Sequence, residues 1–354
     1  MKRLLALCMA AALVFTVAGC GSESSSAGSG GSAAVSGSGS GSGSGSSSGE
    51  KIVIRLADVQ AENDVETQFE YKFAELVAEK SGGRIEVQVF PAGQMGEMAD
   101  ILSSVQMGAL EMCRTNPSWL ADAGAASMNL LSLPFIFEDL DSANAVLESE
   151  VGDYMLQELT DKGLGVYGLG YLEPSGRYFF FREKEVSSLE DISGLKIRVQ
   201  TNQLATSMVE HLGASATPIS YNELYSSMQT KIVDGADNPL KGILNMSFYE
   251  VGTYILDLAH QYEASVIVMN EDFWNQLSAE DQAILQEAMD EGAEYYKEIA
   301  GAELEGYRTS LEEHGMVFVA PDDPQEWIDA VEPMYADFSQ GYEDLLQQIL
   351  DMQA

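Results

Sequence analysis

From Lys51 onward, apolar positions switch repeatedly between a period of two and a period near 3.6. Lys51–Leu56 is a short run of branched residues and predicts a strand. A helix follows from about Asp64 to Ser81, with Phe69, Phe73, Leu76 and Val77 on one face and Gly82-Gly83 ending it. Arg84–Phe90 alternates Ile85, Val87 and Val89 with polar residues, as a strand does. Pro91-Ala92-Gly93 turns the chain into a helix over Glu97–Met107, with Ile101, Leu102 and Val105 inward, and Ala109–Arg114 reads as the next strand. Strand and helix in succession predict an α/β fold with a largely parallel sheet.

The second half repeats this style. Leu195–Val199 is a strand, and Thr201 or Asn202 caps a helix carrying Leu204, Met208 and Leu212 that Gly213 stops. A short strand near Ala214–Pro218, a helix over Asn222–Thr230 and a strand at Val233–Ala236 complete another unit. Ser278-Ala-Glu-Asp281 has the form of a capping box, and the helical pattern behind it runs to about His314. At ~1.5 Å per residue such a helix is ~50 Å long, longer than one domain, so it is expected to span two.

The first fifty residues follow different rules. Lys2 and Arg3 precede an apolar run from Leu4 to Val17 that is too short for a membrane span, which predicts a signal peptide over residues 1–19. The run ends in Val17-Ala18-Gly19-Cys20, which resembles the lipobox of bacterial lipoproteins; the resemblance implies lipidation of Cys20 and attachment to the outer face of the cell membrane by that anchor alone. Residues 21–49 are almost entirely Gly, Ser and Ala, a composition that behaves as a flexible tether.

Charge changes the list of partners. With 56 acids against 18 lysines and arginines, the formal net charge is −38, which repels nucleic acid and anionic headgroups. Any anionic ligand would need a local positive site against this background. Cys113 is the single cysteine of the body, so no disulfide forms there, and it reads as a small buried hydrophobe. His211, His260 and His314 have no zinc-ligand spacing, so neither a metal nor a cofactor is expected. Gly163–Gly168 matches GxGxxG but follows a helix and leads into a strand, the reverse of a dinucleotide site. These features favour a binding protein over an enzyme.

Two arginines stand out by position. Arg198 lies at the end of the Leu195–Val199 strand, facing away from Ile197 and Val199, and ligands of open α/β sheets gather at the carboxyl ends of strands. Arg177 follows Pro174-Ser175-Gly176 after a long apolar strand. A guanidinium can pair bidentately with a carboxylate, although a structural ion pair fits the spacing of either equally well.

The run Leu189–Val199 (LEDISGLKIRV) resembles a segment of the DctP-type solute receptors of TRAP (tripartite ATP-independent periplasmic) transporters. So do Phe90–Gly96, Leu133–Phe135, Thr217–Tyr225 and Gln229–Pro239, in the family's order. The resemblance implies a two-domain, periplasmic-binding-protein-like clamshell with a long helix spanning both domains. Its implied division is 51–172 plus about 260–300 for the first domain, 173–259 plus about 301–320 for the second, and 321–354 as a C-terminal helical segment after the 20–50 tether. It implies capture of a small organic acid (a dicarboxylate, sugar acid or similar) and delivery to the small and large membrane subunits of a TRAP permease.

By position, Arg198 matches the arginine that pairs with the ligand carboxylate, Arg177 a supporting arginine and Asn238 a binding asparagine; Tyr221 and Glu223 fall in the segment facing the cleft. Thr115 and Asn116, and then Gln60, are the polar contacts expected from the first domain; Trp119, Tyr171, Tyr221 and Tyr225 are aromatic residues able to stack on a sugar ring. A receptor for an ABC importer or a sensor, and a tethered surface hydrolase, are the alternative readings.

Overall fold

The computed structural model describes residues 51–353; the signal peptide, Cys20 and the tether lie outside the described residues. Ten strands form one sheet: β1 Ile52–Ala57, β2 Ile85–Phe90, β3 Met112–Thr115, β4 Val166–Phe181, β5 Lys196–Val199, β6 Ser215–Pro218, β7 Gly235–Pro239, β8 Tyr254–Leu256, β9 Gln261–Asn270 and β10 Val317–Val319. Their order is β2-β1-β3-β9-β4-β7-β5-β6, with β8 and β10 beside the far half of β4.

The expected parallel pairing holds at the two ends, β2-β1-β3 and β7-β5-β6, but not in the middle. There β4 pairs antiparallel with β9 and β7, and β9 antiparallel with β3. The sheet is therefore mixed, two parallel wings on a shared antiparallel centre. Periodicity reports burial of a strand and not the direction of its partner, so the local pattern could not reveal this.

Strand β4 is also longer than expected, 16 residues through Pro174. Proline has no N–H for the ladder, and the register with β9 shifts between Leu172 and Ser175, a bulge that lets the strand continue past it. The strand thus runs from one wing into the other.

Local signals place the helices. Asp64 caps Val65–Lys80 by accepting from the amide of Glu66, Asn202 caps Gln203–His211 from Ala205, and Ser278 caps Ala279–Glu313 from Asp281. The long helix has 35 residues. Its Leu285, Ala288 and Met289 pack with Phe69, Phe73 and Ile54, whereas its Leu311 joins a separate core with Phe180 and Phe248. One helix therefore buttresses both wings; each large apolar side chain buried this way contributes ~1.5–3 kcal/mol. Phe69 and Phe73 are fully buried, as the apolar stripe of their helix required.

The C-terminal helices Pro324–Val331 and Met334–Phe338 pack on Gln203–His211, and Glu343–Gln353 packs on Leu140–Leu147 and Glu150–Asp161. This segment touches both wings, with Tyr335 donating to the carbonyl of Pro134 at 2.7 Å. Cys113 is fully buried. Among the described residues no helix is long and apolar enough to cross a membrane.

Candidate functional site

The carboxyl ends of β1, β3, β5 and β7 converge with the bulge of β4 on one cavity of about 70 Å³, several times the ~10–15 Å³ that one water requires. Arg198, Arg177, Asn238, Tyr221, Asn116 and Gln60 all line it. These six come from three strands and three connecting segments separated by up to 178 positions of sequence, brought together by the sheet order.

Three buried guanidinium groups reach the cavity, and their partners differ. Arg114 is gripped by Asp58, Nε to Oδ2 at 2.9 Å and Nη2 to Oδ1 at 2.7 Å, and its Nη1 donates to Asn116 Oδ1 at 3.3 Å. Arg177 donates from Nε to Asp237 at 2.7 Å and from Nη1 to Glu263 at 2.9 Å. Arg198 is only 2 % exposed and donates from Nε to the carbonyl of Ile219 at 2.8 Å, yet among the described residues it forms no ion pair. Tyr221 lies under it, ring centroid 6.0 Å from the guanidinium carbon.

The electrostatics follow from these pairings. Burial opposes ionisation of Asp237, but Arg177, His260 and Arg198 hold its carboxyl well below the usual range. Burial raises Glu263, with Arg177 only partly offsetting it. Arg198 is pulled down to about 10, first by burial, with Asp237 acting against this and Arg177 adding to it. It remains charged at neutral pH, but its charge is costly until an anion reaches it.

Asn238 belongs to β7, which starts and ends later than its apolar run predicted, and donates to the hydroxyl of Tyr221 at 3.3 Å. The contact requires a glycine behind it: a Cβ on Gly242 would lie 2.4 Å from Nδ2 of Asn238 and 3.1 Å from the Tyr221 hydroxyl.

Two expected site residues stand elsewhere. Thr115 is wholly buried in β3, opposite Val266 of β9, with no partner on its hydroxyl; strand alternation turns it into the core and leaves its neighbour Asn116 at the cavity. Glu223 is exposed and accepts from Ser220 Oγ at 2.8 Å within its own turn; the residues after Tyr221 form a 3₁₀ turn and not the start of a regular helix, which carries Glu223 away from the cleft. Of the aromatic candidates, Tyr221 and Trp119 line the cavity. Tyr171 donates to the carbonyl of Gly152 and Tyr225 to Glu250, both outside it.

The sequence reading missed Arg114, Glu66, Glu97, Glu263 and Gln200, all of which line the cavity. Arg114 ends the strand that the sequence pattern puts at Ala109–Arg114, the same signal that marked Arg198. The acids carried no signal, because a chain with 56 of them hides any few.

The two wings meet around the cavity through direct contacts. Asn222 donates to Glu97 at 3.1 Å, Asn202 to Ser118 at 3.2 Å, and the amide of Gln203 to Asp122 at 3.2 Å. A larger cavity of about 320 Å³ lies behind β4 and shares Ser175 and Pro239 with the first. Its cation, Lys241, is already paired with Glu66 at 2.7 Å, so it has no uncompensated charge to offer an anion. Among the described residues no cluster of three or more His, Cys, Asp or Glu is placed to hold a metal ion.

Comparison with known proteins agrees with this architecture. The chain is 27 % identical over 288 residues to a C4-dicarboxylate-binding periplasmic protein DctP of Shewanella loihica, covering 80 % of this chain and 84 % of that one. It superposes with a TM-score of 0.80 and 31 % identity on a TRAP periplasmic solute-binding protein of Bradyrhizobium in complex with galacturonate, over 84 % of this chain and 99 % of the other. A sugar acid binding protein of Advenella mimigardefordensis in complex with galactonate gives a TM-score of 0.81 at 28 % identity, over 86 % and 98 % of the two chains. Both neighbours share the two-domain binding fold built here on β4, β9 and the long helix. Residues 56–341 match the family described as bacterial extracellular solute-binding protein, family 7, and the chain belongs to that DctP family.

Proposed function

We propose that this protein captures a small organic acid in the cavity between its wings, pairs the acid's carboxylate with Arg198, and presents the closed complex to the small and large membrane subunits of a TRAP permease. The observation that carries this reading is the buried, unpaired guanidinium of Arg198. A buried charge without a partner is expensive, and an incoming carboxylate removes that cost while gaining charge-assisted hydrogen bonds of ~1.5–3 kcal/mol each. Arg177, neutralised from within, positions Asp237 and Glu263; Asn238, Tyr221, Asn116 and Gln60 supply polar contacts to the rest of the ligand.

Closure is a hinge motion of the two wings about β4 and β9. The proposed division is 51–172 plus about 260–300 against 173–259 plus about 301–320, with 321–354 as a C-terminal segment; the bulge in β4 between Leu172 and Ser175, with pairing to β7 beginning just past it at Arg177, supports a boundary near residue 173. The cavity binds and releases its ligand unchanged, without turnover. Delivery from the outer face of the membrane is by way of Cys20, acylated after removal of residues 1–19; a Cys20→Ser variant should lose detergent-phase partitioning, and unchanged partitioning would refute the anchor.

The test of the binding reading is a thermal-shift screen of the purified chain against organic and sugar acids and their neutral analogues. A ligand at 100 times its dissociation constant stabilises the fold by ~2.7 kcal/mol, a shift of several degrees. Stabilisation by acids and not by neutral analogues is expected. A response only to neutral sugars or peptides would overturn the carboxylate clamp.

A further inference from the structure

The cavity's charges also decide how many negative groups a ligand can carry. Of the three guanidinium groups in its wall, Arg114 is neutralised by Asp58 and Arg177 by Asp237 and Glu263. Arg198 alone has capacity for a ligand anion. Three carboxylates, Glu66, Glu97 and Glu263, line the same space. Glu66 is held by Lys241 at 2.7 Å and accepts from Ser265 at 3.1 Å, and Glu263 is held by Arg177.

Glu97 is different: among the described residues it forms no ion pair, and its carboxylate accepts one hydrogen bond, from Asn222 of the opposite wing at 3.1 Å. Its field reaches Arg198. A glycine at position 93 keeps Asn222 close, since a Cβ there would lie 2.5 Å from its Nδ2.

Resting on the carboxylate clamp above, we infer that the cavity selects ligands with one carboxylate and a hydroxylated remainder, rejects dicarboxylates, and owes this choice to Glu97 as its specificity-determining residue. Hydroxyl groups donate to carboxylate acceptors such as Glu97. A second ligand carboxylate would find no free cation and would face the half-buried carboxylate of Glu97, a like charge with no cation of its own to offset the repulsion. A site built to accept hydrogen bonds also discriminates sharply against analogues that cannot donate them.

The test is titration calorimetry of the purified chain with matched acids of equal length: erythronate against tartrate and galactonate against galactarate, with succinate as a dicarboxylate lacking hydroxyls. At least one monocarboxylate should bind 100-fold or more tightly than its dicarboxylate partner, with no heat from succinate. Glu97→Gln should narrow that ratio at least tenfold by admitting the dicarboxylate. Glu97 caps its helix without a side-chain hydrogen bond, so this variant keeps the fold. A dicarboxylate binding as well as its partner, no response to any monocarboxylate, or an unchanged ratio in Glu97→Gln overturns the inference. Failure of the underlying clamp reads out separately, as undiminished monocarboxylate binding by Arg198→Met.

Discussion

Arg177 and Asp237 meet diagonally across the β4–β7 seam, with Nε of the arginine 2.7 Å from Oδ2 of the aspartate and Glu263 closing the other side at 2.9 Å. All three are nearly inaccessible, so their charges must satisfy one another. This explains why two buried arginines lining one cavity have different capacities: Arg177 is consumed by the protein, and Arg198 is not.

Removing Arg177 should therefore be a stability defect before it is a binding defect. Arg177→Met strands two buried carboxylates, and the expected loss is ~3–5 kcal/mol in denaturant-induced unfolding. A loss below 1 kcal/mol would show that the cluster is not held by this pair.

Asp122 adds to the Asn202 cap of a helix in the opposite wing, accepting from the amide of Gln203 at 3.2 Å. The contact exists only when the wings are together. Capping is worth ~0.5–2 kcal/mol, so Asp122→Ala should weaken ligand affinity by about 2- to 30-fold, with little change in the unfolding midpoint of the ligand-free protein. Calorimetry checks the first and a thermal melt the second; affinity equal to wild type would contradict closure through this cap.

Gly242 sits where a methyl group would strike Asn238 and Tyr221. Gly242→Ala should push Asn238 out of its contact and cost ~1–3 kcal/mol of stability by overpacking, together with a fall in affinity on the order of tenfold. The same titration measures both arms, with a melt alongside. Unaltered affinity would place Asn238 outside ligand recognition.

His260 supplies a pH signature. It is 2 % exposed, stacks on Phe179 with centroids 4.3 Å apart, and lies 3.5 Å from Asp237, too far for a strong hydrogen bond. Burial lowers its pKa from the usual value, with Asp237 acting against this and Arg177 adding to it. The unfolded chain therefore takes up the proton first as pH falls. The stability supplied by neutral His260 is fully present above about pH 6.5 and is lost as pH falls through and below that value, by up to ~1.4 kcal/mol per pH unit. Subtracting the pH–stability curve of His260→Phe from that of the parent should leave this slope between pH 7 and 5; a flat difference would mean that the imidazole titrates alike in both states.

Much of the fold was legible because its signals are local. The stripe Phe69-Phe73-Leu76-Val77, the cap at Asn202 and the glycine stop at Gly163 each report their own neighbourhood, and each falls where the pattern put it. The antiparallel centre was not legible: β9 meets β4 and β3 over roughly eighty residues or more of intervening chain, and nothing in Gln261–Asn270 encodes which strand lies beside it or in which direction. Arg198 was visible because it ends a strand. Thr115 was misplaced because strand alternation resolves position 115 from 116 only when the strand's exact end is known, and Glu223 because a 3₁₀ turn and a helix start look alike in five residues. Glu97 was invisible among so many acids, and only its place in the cavity wall without a paired cation singles it out.

The central claim is that Arg198 is kept charged and unpaired for a ligand's carboxylate, and the most direct measurement is the thermal melt of Arg198→Met with and without a stabilising acid. Removing an unpaired buried charge should leave the ligand-free protein as stable as the parent or more so, by up to a few kcal/mol, while the acid-induced shift disappears. A destabilised ligand-free variant that still shifts with the acid would contradict the account, because Arg198 would then belong to the framework and not to the ligand.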